Sequence, residues 1–583
     1  MAFFTLPGIQ SFARLRKSGS YYVDKTGFLE NFLMPYPMDV TLFTRPRRFG
    51  KTLFMSMLAE FFDITKDSHE LFEGLAVAAN KDLCAQWMNK YPVIFLSLKD
   101  VDKPTYTRAL TDFQDIIAVY CTGHKYLLSS DKVEPADKVL LKKFIDRAAD
   151  EDTLWRSLKT LIRVQTAHHG KPVIVLIDEY DAPVAKAADN GYYNEMIKFI
   201  RGFLSFGLKT NADDLMFGIL TGCLHITRES IFSGLNHLDC NDIMSDSSYV
   251  EVFGFTQDEV DRVLNDAGFS GKRDLVKAWY DGYRFGDQTE IYCPWSIMKY
   301  LKELETKPNK EPQAYWQNTS ENALVKSLFP GSSPEMTQDI ADFIAGSCLV
   351  KEISINPTFE SLDSTPRNLW TLLYMSGYLT RASNEIVEAQ GISQNFENNK
   401  LPLVIPNREI RDIFKYEVRN WFRESVSEAQ QNDFFTAFWN VDAEGVKKEL
   451  EAILLEKVSS QDLAKDSPKS PRENFYHGLL IGYFLVAYPQ TFSNLQAGTG
   501  QYDIRVLDDT DNANKRAAIV EIKRAGKEEE DLAKLAEDGL TQIRERKYDV
   551  RLLSDPKVTT VLHWSIAFFK KSCEARAIVV RQP

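Results

Sequence analysis

Short, almost wholly apolar runs alternate with helix-periodic stretches over the first 245 residues. The runs are "DVTLFT" (Asp39–Thr44), "YPVIFLSLKD" (Tyr91–Asp100), "KPVIVLIDEYD" (Lys171–Asp181) and "DLMFGILTG" (Asp214–Gly222). Near-continuous apolar strands separated by helices predict a parallel sheet covered on both faces. From about Ser245 the texture changes. "FGFTQDEVDRVLNDAGF" sets a cap-like Thr256 before a helical pattern. An aromatic, turn-rich segment (279–304) follows, and helices dominate to about Ile353. "LWTLLYMSGYLTRAS" and "KLPLVIPNREIRDIFKYEV" then predict a helix, a small β element and a return to helix. "VSSQDLAKDSPKSPRENF" (Val458–Phe475) is a linker or an internal loop. Beyond it come a buried helix, the strands "GQYDIRVLDD" and "AAIVEIKRA" around the turn "DTDNANKR", a charged helix (Glu528–Lys547) and the strand "VTTVLHWSIAFF". The expected architecture is α/β multidomain: a parallel-sheet domain over 1–245, a mostly helical module over 246–425, and a compact α/β domain over 426–583.

A chain of 583 residues is too long for one core. Its net charge of -12 argues against a nonspecific nucleic-acid coat, so any such contact needs a local basic patch. The seven cysteines form no C-x-x-C pair, which fits buried thiols in a reducing compartment. His168-His169 reads as a loop before Gly170. The N-terminus lacks the apolar core of a secretory signal, and no long apolar run predicts a membrane span. The default location is the cytoplasm.

"TRPRRFGKTLF" (Thr44–Phe54) ends like a phosphate-binding loop, between a strand and a helix. Arg45 stands where the usual first glycine would be. Arg47, Arg48, Phe49 and Gly50 complete a loop whose backbone N–H groups can face phosphate. Lys51 is the candidate for the β- and γ-phosphates, and Thr52 for Mg²⁺. The three arginines have competing roles: Arg45 shapes the turn, while Arg47 and Arg48 either add charge at the nucleotide or face another domain. "VIVLIDEYD" supplies a second element. Asp178 would hold Mg²⁺ and Glu179 would activate the attacking water. In "LTGCLHITRES", Thr221 is a candidate γ-phosphate sensor. Arg228 is either near the phosphates or simply on the surface.

In the last domain Glu521 and Lys523 lie two apart on one strand, hence on one face. Asp503 joins them from the neighbouring strand. Two carboxylates suit Mg²⁺ or Mn²⁺, and a lysine beside them can stabilise developing charge or position a water. Basic residues cluster nearby, among them Arg505, Arg516, Arg524, Arg544 and Lys547. The acidic runs Asp508–Asp511 and Glu528–Asp531 read as solvated turns.

"YYVDKTGFLENFL", "TRPRRFGKTLF", "VLIDEYDAPV", "LTGCLHITRESIFSGLNHL", "FGFTQDEV" and "YDGYRFG...IYCPWSI" together resemble the AAA-ATPase-like family, over about the first half of the chain. The resemblance implies an ATP-binding P-loop domain of the signalling type, in which an arginine-rich loop is the usual form. It also implies that the upstream segment "YYVDKT" contributes to an adenine pocket. Tyr22 could stack on the base, with Asp24 or Lys25 in polar contact; a capped turn at Asp24 or Thr26 is the alternative. The C-terminal motif resembles the PD-(D/E)xK nuclease superfamily from about Glu473 onward. That implies a restriction-endonuclease-like fold, with Gln542 joining the site as in the exonuclease-like branch and Glu473 as an extra acidic ligand.

The function expected is ATP binding and hydrolysis that gates a metal-dependent nuclease acting on nucleic acid, DNA in the first instance. The alternative is a nucleotide-switched signalling or interaction protein whose nuclease-like domain is inactive and only binds nucleic acid or protein. Neither reading calls for a membrane, and both admit a homo-oligomer.

Overall fold

The computed structural model describes residues 3–34, 37–209, 213–224, 238–245, 249–316, 334–354, 366–393, 399–425, 428–457, 471–488, 490–493, 496–497, 500–511, 513–526 and 530–581. These form two compact units that are not sequential. One comprises 1–315, 351–383 and 393–408; the other comprises 316–350, 384–392 and 409–583.

The first unit is built on β1 (Val40–Thr44), β2 (Val93–Ser97), β3 (Val173–Asp178), β4 (Leu215–Gly222) and β5 (Leu238–Asn241). All neighbours are parallel, in the order β2-β3-β4-β1-β5. The four apolar runs are the first four strands. The fifth, "LDCN", is an edge strand too short and polar to stand out by pattern. Helices flank β1, β3 and β4: α1 (Lys51–Phe62), α2 (Ser157–His169) and α3 (Tyr193–Leu208). Adjacent residues of β4 show that both faces are covered. Phe217 packs on Phe32, Phe62 and Trp87, while a Cβ at Gly218 would touch Leu208 of α3. His168 and His169 end α2 rather than forming a loop, because the left-handed turn falls one residue later, at Gly170 (φ 67°). Their rings bond Ser130 and Tyr126.

The same unit continues into α4 (Gln257–Asp266), the hairpin β6 (Tyr283–Phe285) and β7 (Gln288–Ile291), and α5 (Pro294–Thr306). Thr256 and Glu259 close a reciprocal capping box at the start of α4, as the sequence suggests. Val260, Val263, Trp279, Tyr292 and Tyr300 belong to the core of this part.

The second unit holds α6 (Pro334–Ala345) and α7 (Pro471–Ala487). Its sheet contains β8 (Gln490–Ser493), β9 (Ile504–Asp508), β10 (Lys515–Arg524), β11 (Val558–Phe569) and β12 (Ser572–Arg581). The strands lie in that order, with β10 and β11 parallel and the other pairs antiparallel. The helix α8 (Leu532–Arg546) packs on this sheet, placing Gly539 against Ser565. The sequence pattern shows the three inner strands; β8 and β12 are the edges. The polar stretch at 458–470 lies outside the described residues. Among the described residues, no helix is long and apolar enough to cross a membrane.

Candidate functional sites

β1 delivers the chain into the arginine-rich loop, and α1 takes it up at Lys51. Gly50 and Arg48 both adopt left-handed φ, at 88° and 70°. Glycine does so freely, whereas a non-glycine residue there costs about 1 kcal/mol or more. The Lys51 ammonium folds back beneath the loop. It donates to the carbonyls of Arg45 (3.0 Å) and Pro46 (3.2 Å), and lies 3.4 Å from Glu179 Oε1 and 3.5 Å from Cys223 Sγ. Burial alone would lower its pKa. The carboxylates around it, Glu179, Asp181 and Asp178, favour the charged form.

Asp178, at the end of β3, is fully buried. Thr52 donates to one carboxylate oxygen (2.8 Å) and Thr221 to the other (2.7 Å). This meeting depends on strand order: β4 lies between β1 and β3, so Thr221 reaches the acidic strand from beside the loop strand. Burial first, then Glu179, raises the Asp178 pKa. Glu179 has φ 53°, a strained conformation for a non-glycine residue. Such outliers concentrate where a side chain must be aimed.

The arginines divide their work. Arg45 is fully buried, donates to the carbonyls of Thr44 (2.8 Å) and Asn241 (2.7 Å), and faces the rings of Phe253 and Phe285. It ties β1 to β5 under the loop. Arg48 donates to the Tyr315 carbonyl (3.0 Å) and stacks on Trp295. Phe49 is buried against Tyr283 and Phe285 of the hairpin. The side chains of Arg48 and Phe49 therefore serve docking of the loop. Arg47 is exposed, and its charge acts on Cys223 beside Lys51.

The upstream segment is largely engaged by the fold. Asp24 Oδ1 accepts from Thr26 N (2.8 Å) and Oγ1 (2.7 Å), and its Oδ2 accepts from Ala76 N (2.7 Å). Lys25 bonds the Glu251 carbonyl and Glu259. Asp24 makes the capped turn of the alternative reading, while Lys25 is held by Glu259 and the Glu251 carbonyl. The Tyr22 ring lies edge-on to Phe12, with ring centres 5.3 Å apart. Arg228 lies outside the described residues.

The second constellation is compact. The pairing of Ile504 with Val520 sets Asp503 opposite Glu521 across β9 and β10. Asp503 Oδ2 accepts from Ile522 N (2.6 Å). Its pKa is raised, chiefly by burial. Lys523 Nζ donates to Glu521 Oε1 (2.9 Å) and to Gln542 Oε1 (2.7 Å), and the Gln542 amide donates in turn to Glu521. Gln542 Nε2 also lies 3.3 Å from Tyr548 OH. Strand pair and α8 thus close a ring of Glu521, Lys523 and Gln542 beside Asp503. Glu473 falls in α7, but its side chain lies outside the described residues. Arg505 stacks on Phe492, and Arg516 pairs with Asp508 over Trp439, so these two cations serve the fold. Asp508 and Asp511 bond backbone N–H groups of their own turns, and Asp531 caps α8.

Residues 7–232 match the family model described as predicted AAA-ATPase, and residues 471–577 match that of the PD-(D/E)XK nuclease superfamily. The first part of the chain is thus similar to predicted AAA-ATPases and its last part to PD-(D/E)XK nucleases. A protein of Azotobacter chroococcum mcd 1, described as "Uncharacterized protein in vnfD 5'region", is 29% identical over 392 residues. The match takes in 66% of this chain and spans 65% of that relative's length.

The AAA-ATPase-like match encloses Lys51, Thr52, Asp178, Glu179 and Thr221. The PD-(D/E)XK match encloses Asp503, Glu521, Lys523 and Gln542. By sequence alone, Cys223 of the AAA-ATPase-like domain is only one of the scattered thiols. Its position two residues beyond Thr221, at a strand end facing the loop lysine, is the signal that could have found it. Burial pushes that thiol up to about 12, so it is neutral beside Lys51.

Proposed function

We propose that this chain is an ATP-binding and ATP-hydrolysing protein that gates a metal-dependent nuclease acting on DNA. The observation that carries the ATPase half is the convergence of Thr52, Thr221 and Lys51 on Asp178 and Glu179. Lys51 and the loop N–H groups would hold the phosphates. Glu179, partly exposed and aimed by its strained backbone, would orient the attacking water. Thr221 would sense the γ-phosphate. The donors also fit divalent cations: Thr52 and Asp178 at one site, and the oxygen pair Asp503 and Glu521 at the other. Bound there, Mg²⁺ or Mn²⁺ would neutralise phosphate charge and lower the pKa of a metal-bound water.

In the nuclease half, Asp503 and Glu521 present their carboxylates on one face. Lys523 is held by Gln542 in reach of the scissile phosphate, where its ammonium would stabilise developing charge. Residues 246–425, which are shared between the two compact units, would be the segment through which nucleotide state gates cleavage. The docking of Arg48 and Phe49 on Trp295, Tyr283 and Phe285 supports a link between the loop and that segment. The expected setting is the cytoplasm.

The test is Mg²⁺-dependent DNA cleavage with and without ATP, by the full chain and by Asp503→Ala and Lys523→Ala. Loss in both variants is the expected result. Undiminished cleavage in both would sink the site assignment. No cleavage by the intact chain on any DNA or RNA form would leave the nucleotide-switched interaction protein.

A further inference from the structure

The residues after Glu179, Tyr180 and Asp181, have no role in the scheme above. Both are buried, at 0% and 4% exposure, and both turn toward the exit of β4. Asp181 Oδ2 accepts from two successive backbone N–H groups, Cys223 N and Leu224 N, each at 2.8 Å. Tyr180 OH donates to the Leu224 carbonyl at 2.6 Å, and Tyr180 N donates to the Thr221 carbonyl at 3.0 Å. Four hydrogen bonds thus grip three residues, Thr221, Cys223 and Leu224, on either side of Gly222. Gly222 is the only residue that fits between the jaws. A Cβ there would lie 2.6 Å from the Tyr180 ring and 2.7 Å from Asp181 Oδ1.

What the grip holds is the phosphate end of the site. Thr221 Oγ1 bonds Asp178, and Cys223 Sγ stands 3.5 Å from the Lys51 ammonium and 3.9 Å from Glu179 Oε2. A carboxylate that accepts two adjacent N–H groups fixes a turn more firmly than a neutral acceptor does. Burying it also costs stability, because it is desolvated beside Glu179. Stability alone does not explain such an arrangement, whereas positioning does.

We propose that Tyr180 and Asp181 are positioning residues for ATP hydrolysis, clamping the β4 exit so that Thr221 and Cys223 are held against Asp178, Glu179 and Lys51. The proposal rests on the ATPase reading above. Its content is that the two residues act on the chemical step through the clamped segment and touch neither nucleotide nor metal. Misplacement of a supporting group by a fraction of an ångström is enough to slow an oriented reaction.

The test uses the full chain with ATP and Mg²⁺, comparing wild type with Asp181→Asn and Tyr180→Phe. Affinity is read by calorimetry, kcat and KM by phosphate release, and folding by thermal melting. The expected result is kcat lower by about tenfold or more in each variant, with ATP affinity within about threefold of wild type and no loss of melting temperature in Asp181→Asn. Two results would overturn it: kcat within twofold of wild type in a folded variant, or parallel losses of kcat, affinity and melting temperature, which would mark a purely structural role. Tyr180→Phe removes one hydroxyl and decides the matter should Asp181→Asn fail to fold. A wild-type chain that neither binds nor hydrolyses ATP would instead overturn the ATPase reading, and the proposal with it.

Discussion

At the N-terminal site the lysine side chain is 3% exposed and lies under its own loop, whereas Lys523 is 22% exposed and lies over a strand pair. Each is joined to a glutamate, Glu179 at 3.4 Å and Glu521 at 2.9 Å. Their supports differ. Lys51 donates to two carbonyls of the loop it belongs to, so it is part of that loop's architecture. Lys523 leans on a second side chain, Gln542, and no backbone conformation hangs on it. The sites also draw on different lengths of chain. The first gathers residues from Lys51 to Cys223 through the order of a parallel sheet. The second needs one antiparallel register and one helix, between Asp503 and Gln542. A site made by topology couples chemistry to fold, and a site made by a hairpin can lose its chemistry and keep its fold.

The largest effects should separate the two lysines. Lys523→Ala should slow Mg²⁺-dependent cleavage by up to about 1000-fold, roughly 4 kcal/mol of transition-state stabilisation. Its unfolding free energy should stay within about 1 kcal/mol of wild type, since Lys523 itself is partly solvated and Gln542 still donates to the buried Glu521. Lys51→Ala should abolish nucleotide binding and also lower stability by about 3 kcal/mol, because a buried ammonium that bonds two loop carbonyls and faces Glu179 is removed. Denaturant titration of both variants checks the contrast. Equal stability losses would dissolve the distinction between an architectural and an appended lysine.

The loop itself offers the next break. Phe49→Ala should cost about 3 kcal/mol, the loss typical of a buried aromatic side chain. It should weaken ATP binding as well, because Arg48 and Gly50 hold left-handed conformations on either side of it. The C-terminal site has no corresponding docked loop among the described residues. Retained ATP affinity in a folded Phe49→Ala variant would show that the loop keeps its shape without the aromatic hairpin.

Legibility follows the same division. The carboxylates and the lysine of the C-terminal site are readable because period-two alternation fixes which residues share a face, and a hairpin fixes which strand is the neighbour. The members of the N-terminal site are readable one at a time from strand ends. That β4 separates β1 from β3 is not, since strand order is set by tertiary packing. For the same reason the parts played by Tyr180 and Asp181 do not show in the sequence, because their partners are far away along the chain. Arg48 and Phe49 sit where nucleotide contacts are expected, but loop position says nothing of which way a side chain turns. The edge strands Leu238–Asn241 and Ser572–Arg581 lack the signature of double burial.

The smallest effect is a pH dependence lodged in the clamp. Burial, then the charge of Glu179, raises the Asp181 pKa from 3.8 to about 6, against the opposing pull of the Leu224 and Cys223 N–H groups and of Lys51. A folded-state pKa above the unfolded value means that the folded chain binds the proton more tightly. The contribution of this group to stability therefore falls as pH rises from about 4 to about 6, then levels off. Asp178 and Glu179 face the same space and are shared by wild type and Asp181→Asn, while Cys223 remains a neutral thiol throughout. The difference between the two proteins thus isolates Asp181 and its coupling to these neighbours. Between pH 4.5 and pH 7, Asp181→Asn should gain about 2 kcal/mol relative to wild type. Urea unfolding at the two pH values measures that difference. A flat difference would mean that Asp181 is no more costly to ionise than a carboxylate in water. The N-terminal site would then hold its clamp at no expense in stability, and the contrast with the hairpin site would rest on Lys51 and Phe49 alone.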